Sequence, residues 1–302
     1  MSEFIKTGKN IFPKPVGCDY DLIAGKVYDL NWDGYNCTYI FSENGDLNLP
    51  SKVYNLNKDV PFKKRVLTYF KETTAQTTGI MLAGTKGTGK TVLAKVIAKE
   101  SGLPIIIVDG SYPAQHLSKF FKGFKTPVCI IFDEIEKKWR TDRMLEFLDG
   151  VEATTKKLVL MTCNDVSQVS QYMQDRCSRV RYLRTYGDRD NIELIETLVK
   201  DNGIEKVKET TDFIIDNIKL LSIDNVLSFI NEVKLFGNEF TLDEIIEDMN
   251  ISLNKRKTNT SINSVTLPID SGDDCDDEDW ENDPVDDDGM YDDDEYCLKE
   301  AA

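Results

Sequence analysis

The chain has 302 residues, with 53 Asp and Glu against 37 Lys and Arg, for a formal net charge of −16. Sixteen of those acids lie between Asp270 and Glu295, a stretch with no Lys or Arg, so residues 1–269 are electrically balanced. A balanced body has no global basic field for coating nucleic acid, no run of about eighteen apolar residues offers a membrane span, and the opening MSEFIKTGKNIFPKP lacks the apolar core of a secretion signal. Seven cysteines without a C-x-x-C pair read as reduced thiols of a cytosolic protein. The single histidine, His116, excludes a His-rich zinc site and reads as a helix-surface residue.

In chain order, residues 1–60 form a small β-rich region and linker. Lys26–Trp32 and Tyr35–Ser42 are predicted strands around Asp33-Gly34, a hairpin signal, and Pro50 and Pro61 bracket the linker. Residues 61–187 alternate apolar strands with helical stretches, which predicts an α/β domain with a parallel sheet flanked by helices. Its strands are expected at Gly79–Ala83, Ile105–Val108, Val128–Phe132, Leu158–Cys163 and Val180–Leu183. Residues 188–251 carry apolar residues at helical spacing (Ile192, Leu194, Ile195, Leu198; Phe213, Ile214, Ile218, Leu221; Val226, Phe229, Ile230, Val233) and are expected to form a small all-α lid. Residues 252–302 turn polar and then acidic, with too few apolar groups to offset ordering entropy, and are expected to be disordered.

The strongest motif is Gly84-Thr85-Lys86-Gly87-Thr88-Gly89-Lys90-Thr91, which matches G-x-x-x-x-G-K-[ST] between a strand and an amphipathic helix. Its glycines let successive N–H groups face the phosphates of ATP, Lys90 neutralises phosphate charge, and the Thr91 hydroxyl serves Mg²⁺. Val128–Phe132 then runs into Asp133-Glu134. Carboxylates at the end of a buried strand are costly without a cation, so Asp133 is expected to be the second Mg²⁺ residue and Glu134 the general base for water. Asn164, after the next strand, is placed to sense the γ-phosphate. Asp175-Arg176-Cys177-Ser178-Arg179 carries two arginines with no obvious route to their own γ-phosphate, and the alternatives are surface salt bridges or a finger supplied to a neighbouring subunit.

Together these motifs resemble those of the AAA+ ATPases, with Walker A at Gly84–Thr91, Walker B at Ile130–Glu134, sensor-1 at Asn164 and the arginine-finger segment at Arg176 and Arg179. The resemblance covers roughly residues 50–250 and is closest to the AAA subgroup in the narrow sense. It implies a P-loop NTPase sheet followed by a helical lid, ATP hydrolysis with Mg²⁺, and a ring-shaped homo-oligomer that remodels a protein or protein–nucleic acid complex. Val53-Tyr54 corresponds to the linker that flanks adenine in such proteins. The stretch Ser222–Val226 has no sensor-2 arginine, which departs from clamp loaders and initiators. A clamp- or helicase-loader ATPase stimulated by DNA stands as the alternative. It would use basic patches at Lys119/Lys122/Lys125, Lys137/Lys138/Arg140/Arg143 or Lys255/Arg256/Lys257, each of which also reads as a solvated face. Phe120–Phe124 reads either as a pore loop or as the apolar face of a helix with its Gly cap. The acidic tail either solvates the protein or docks a basic partner through Trp280, Met290, Tyr291 and Tyr296.

Overall fold

A computed structural model describes residues 4–7, 9–13, 20–36, 38–108, 110, 114–142, 144–149 and 155–254. The expectations for the acidic tail, for Lys255/Arg256/Lys257 and for Arg143 lie outside the described residues.

Among the described residues, nine strands build one sheet: β1 (Phe4–Thr7), β2 (Asn10–Pro13), β3 (Val27–Asp33), β4 (Thr38–Asn44), β5 (Thr77–Gly84), β6 (Ile105–Val108), β7 (Val128–Phe132), β8 (Lys157–Cys163) and β9 (Tyr182–Tyr186). Their order is β1-β2-β4-β3-β6-β7-β8-β5-β9. The six strands from β3 to β9 in this order are parallel, and β4, β2 and β1 extend them antiparallel. The expected fifth core strand sits two residues later than its apolar pattern at Val180–Leu183 suggests. Val180 instead turns into the core beside Gly79, where Arg181 N–H donates to the Gly79 carbonyl at 2.7 Å.

The β-rich first sixty residues join this same sheet. Val27 pairs with Ile105 and Asp29 with Ile107 in parallel register, so β3 covers the edge that β6 would otherwise expose. The hairpin is present but not as a two-residue turn. Asp33 pairs with Thr38, the described residues 34–36 turn the chain, and the Asp33 carboxylate accepts the N–H groups of Tyr35 and Asn36 at 3.1 and 3.3 Å. That carboxylate organises the turn in place of paired left-handed residues.

Each central strand is apolar on both faces, as a sheet covered on both sides requires. Ile80, Leu82, Cys129, Ile131, Leu158 and Leu160 point into one core, while Met81, Ala83, Val128, Ile130, Phe132, Val159 and Met161 point into the other. The first core is covered by helices α1 (Asp59–Glu72) and α2 (Lys90–Ser101) and runs on into the helical lid. The second is covered by α3 (Ala114–Lys122) and, beyond the short α4 (Ile135–Lys138), by α5 (Leu145–Asp149). Phe120, Phe121 and Phe124 pack ring against ring, Phe120 and Phe124 also meet Phe41, and Phe121 meets Phe147. Of the two readings of this segment, the aromatic face of a helix is the one observed. His116 lies beside Trp32, with ring centroids 5.2 Å apart.

After the short α6 (Gln171–Gln174) and β9, the chain forms α7 (Ile192–Asp201), α8 (Val207–Asn217), α9 (Ile223–Phe236) and α10 (Leu242–Glu247). Most of the anticipated inward stripe is buried, including Leu194, Ile195, Leu198, Ile214, Val226, Phe229 and Ile230, but Ile192, at the first position of α7, is exposed. Ser222 caps α9 through its hydroxyl, and Thr241 with Glu244 forms a capping box on α10. No helix among the described residues is long and apolar enough to cross a membrane.

Candidate nucleotide-binding site

The site lies at the carboxyl ends of the parallel strands, beside β5, whose neighbours are β8 and β9. In open α/β sheets this is where ligands bind. The loop after β5 needs glycine for contact reasons as well as conformational ones. Gly84 sits at φ +119°, and a Cβ there would meet the Tyr186 carbonyl oxygen of β9 at 2.0 Å. Gly87 sits at φ +73° against Ser222 of the lid. Gly89, also left-handed, immediately precedes α2, whose first turn presents free N–H groups toward the loop.

Lys90 is buried, and its ammonium donates to the Gly84 and Thr85 carbonyls at 2.6 and 2.7 Å. Burial lowers its pKa, opposed by the field of Cys163, Glu136, Asp133 and Glu134. Thr88 donates to the Thr85 carbonyl at 2.8 Å, and the Thr85 hydroxyl reaches Asp188 at 2.6 Å. Lys86 is exposed at the loop tip.

Asp133 and Glu134 diverge from the end of β7. Asp133 Oδ1 accepts from the Thr91 hydroxyl at 2.8 Å and from the Thr162 hydroxyl at 2.6 Å. Glu134 is the one described non-glycine residue at positive φ (52°), a conformation that costs energy. The Glu134 N–H is fixed by Thr162 Oγ1 at 2.9 Å. Glu134 Oε1 accepts from Asn164 Nδ2 at 2.8 Å, and Oε2 pairs with Lys137 at 2.8 Å. Hydrogen bonds from Lys137 and then Asn164 hold the Glu134 carboxyl below the usual range. The Asn164 N–H also donates to Glu136 Oε1 at 2.9 Å.

The sequence motifs thus converge, with one correction. Arg179 is only 8% exposed, its guanidinium forks onto Asp149 at 2.6 and 2.8 Å, and it also donates to the Tyr172 carbonyl at 2.5 Å. A side chain so engaged within its own chain serves structure, and the expectation that both arginines reach a neighbour fails for Arg179. Arg176 is exposed. The two do not share a helix face, because residues 176–179 form a turn closed by the Arg179 N–H on the Arg176 carbonyl at 2.9 Å.

Sequence reasoning missed Thr162, Glu136 and Asp188. Thr162 could have been found by pairing β7 with β8, since Phe132 opposite Met161 puts the next residues, Asp133 and Thr162, side by side. Also missed was most of a cavity of about 120 Å³ beside the loop, walled by Val53 and Tyr54 of the linker, Leu93 of α2, and Asn191, Leu194 and Leu227 of the lid. The linker is tied to the lid by Tyr54 on Asp201 at 2.9 Å and by Asn57 on Glu193 at 2.6 and 2.8 Å. Among the basic patches, Lys137 is paired with Glu134 and Arg140 lies 3.4 Å from Asp142, so that cluster is partly neutralised.

A glycine-rich loop on β5, feeding α2 and faced by paired acids on β7, defines a P-loop nucleotide-binding fold. Residues 80–185 match the family model described as "ATPase family associated with various cellular activities (AAA)". Over those residues the core of this chain is similar to that AAA family. A Plasmodium falciparum protein named as a cell division cycle ATPase is 27% identical over 213 residues, 60% of this chain and 17% of the relative. A nuclear valosin-containing protein-like protein of Mus musculus is 28% identical over 148 residues, 41% of this chain and 17% of the relative. The chain therefore spans about a sixth of the length of these relatives. Among solved structures, the RuvB Holliday junction branch migration motor of Thermotoga maritima aligns with TM-score 0.46 at 15% identity, covering 64% of this chain and 68% of that one.

Proposed function

We propose that this chain binds ATP with Mg²⁺ and hydrolyses it, as one subunit of a ring-shaped homo-oligomer that remodels a protein or protein–nucleic acid complex. The observation that carries the reading is the division of labour at the end of β7. Asp133 is gathered with the Thr91 hydroxyl beside the loop, while Glu134 is turned by its left-handed backbone toward Asn164. Thr91 and Asp133 are hard oxygen donors of the kind Mg²⁺ takes when substrate phosphates and water complete its shell. When bound, Mg²⁺ would neutralise phosphate charge. Lys90 would exchange the Gly84 and Thr85 carbonyls for phosphate oxygens, and the loop N–H groups would hold the rest.

Glu134, ionised and held by Asn164, would take a hydrogen bond from the attacking water and receive its proton. Arg176, exposed on the turn before β9, is the arginine available to a neighbouring subunit. Replacing Glu134 by Gln keeps the shape and removes the base. The Glu134→Gln chain should bind ATP, accumulate ATP-bound oligomers by mass measurement, and lose turnover. Hydrolysis at the parent rate would sink the assignment.

A further inference from the structure

We propose that Asn191 selects the base: its side-chain oxygen accepts a hydrogen bond from the exocyclic amino group of adenine in the cavity beside the loop, so that adenine nucleotides are held and guanine nucleotides rejected. This rests on the nucleotide reading above and goes beyond it to name what reads the base. Asn191 is 1% exposed and lines the cavity together with Val53, Tyr54, Leu93, Leu194 and Leu227, whose apolar surfaces suit a flat heteroaromatic ring.

Asn191 precedes α7 as its N-cap, where an asparagine oxygen ordinarily accepts an N–H of the first helical turn. Here it makes no such bond, and Oδ1 has no hydrogen-bond partner although it is buried. The amide is not free to turn over. Nδ2 donates to the Leu221 carbonyl at 3.0 Å, and exchanging the two ends would set oxygen against oxygen. A buried acceptor without a donor is costly, and among the buried side-chain atoms described around this cavity it is the one left unpaired. What is missing is an N–H brought by a ligand. Adenine carries an amino group at its six-position, whereas guanine carries a carbonyl oxygen there, which would meet Oδ1 lone pair to lone pair.

The test is calorimetric binding to the full chain of ATP, of purine riboside triphosphate (which lacks only the six-amino group) and of GTP, each with Mg²⁺. ATP should bind tighter than either of the others by about ten-fold or more. Asn191→Leu, of similar shape, should weaken ATP to the level of purine riboside triphosphate and leave the latter unchanged, with thermal unfolding as the check on folding. If that variant does not fold, the three ligands on the parent chain decide alone. Equal binding of ATP and purine riboside triphosphate overturns the role of Asn191 while leaving nucleotide binding intact. Failure of all three ligands to bind overturns the nucleotide reading itself.

Discussion

Asn164 donates its side-chain amide to one oxygen of Glu134 at 2.8 Å while Lys137 holds the other at 2.8 Å, so the proposed base is gripped from both sides. Both contacts favour the ionised form and lower the Glu134 pKa, Lys137 contributing more. A base must be ionised to work, so turnover should fall only when the pH drops through this depressed value. Lys137→Met should therefore shift the acid limb of the kcat–pH profile to higher pH, toward the ordinary glutamate range. Asn164→Ala should shift it the same way by less, and should also lower kcat because the carboxylate loses its aim. An acid limb unmoved by Lys137→Met would remove Glu134 from the titrating step.

The two arginines should separate in a single pair of variants. Arg179→Ala leaves Asp149 without its partner in a mostly buried pocket, at a cost of about 3 kcal/mol. It should lower Tm clearly. Arg176→Ala should leave Tm in place and abolish turnover, and mixing it with Lys90→Ala subunits should restore part of the activity. Without any restoration in mixtures, a finger acting between subunits is unsupported. The Arg179 pair also has a pH signature. Because Arg179 lowers the Asp149 pKa, its stabilisation is present above the unfolded carboxyl pKa of 3.8 and is lost as pH falls through the lower folded value.

The loop Gly84–Thr91 and the acids of β7 are legible because their chemistry is local: the spacing itself builds the nest and ends the strand. The role of Arg179 depends on Asp149, thirty residues away on another element, and spacing alone could not distinguish it from Arg176. The same holds for β3. The hairpin signal at Asp33-Gly34 predicts a strand there, but its partner is the edge strand β6, and only tertiary pairing shows that the first sixty residues complete the main sheet. Thr162 and Asn191 are single polar residues whose meaning lies in one hydrogen bond made and one left unmade.

Lys157 opens β8 almost fully buried, its ammonium over the Phe147 ring at 5.1 Å, and burial pulls its pKa down to about 8. Between that value and the ordinary 10.5 the unfolded chain holds a proton that the folded chain has released. Stability should therefore rise with pH across this window. Lys157→Met, which keeps the length and removes the charge, should raise stability near pH 7 by on the order of 2 kcal/mol. It should also flatten the rise between pH 8 and 10.5, as read by denaturant unfolding at a series of pH values. A rise that persists unchanged in the variant would assign it to another group.

The lid rests directly on the phosphate loop at Gly87. The Ile223 N–H donates to the Gly87 carbonyl at 2.8 Å, and a Cβ on Gly87 would stand 2.7 Å from Ser222 Cβ. Gly87→Ala thus incurs two costs, about 1–2 kcal/mol for a left-handed alanine and a collision with the cap of α9. The collision can be relieved only by moving the lid. The variant should bind ATP more weakly and unfold at lower temperature. Adding Ser222→Gly, which removes the opposing Cβ and by itself costs only a few tenths of a kcal/mol as a cap change, should recover part of both losses. Recovery would assign the defect to the contact between loop and lid. If the double variant is as impaired as Gly87→Ala alone, the backbone conformation of the loop is the whole effect and the lid contact carries none of it.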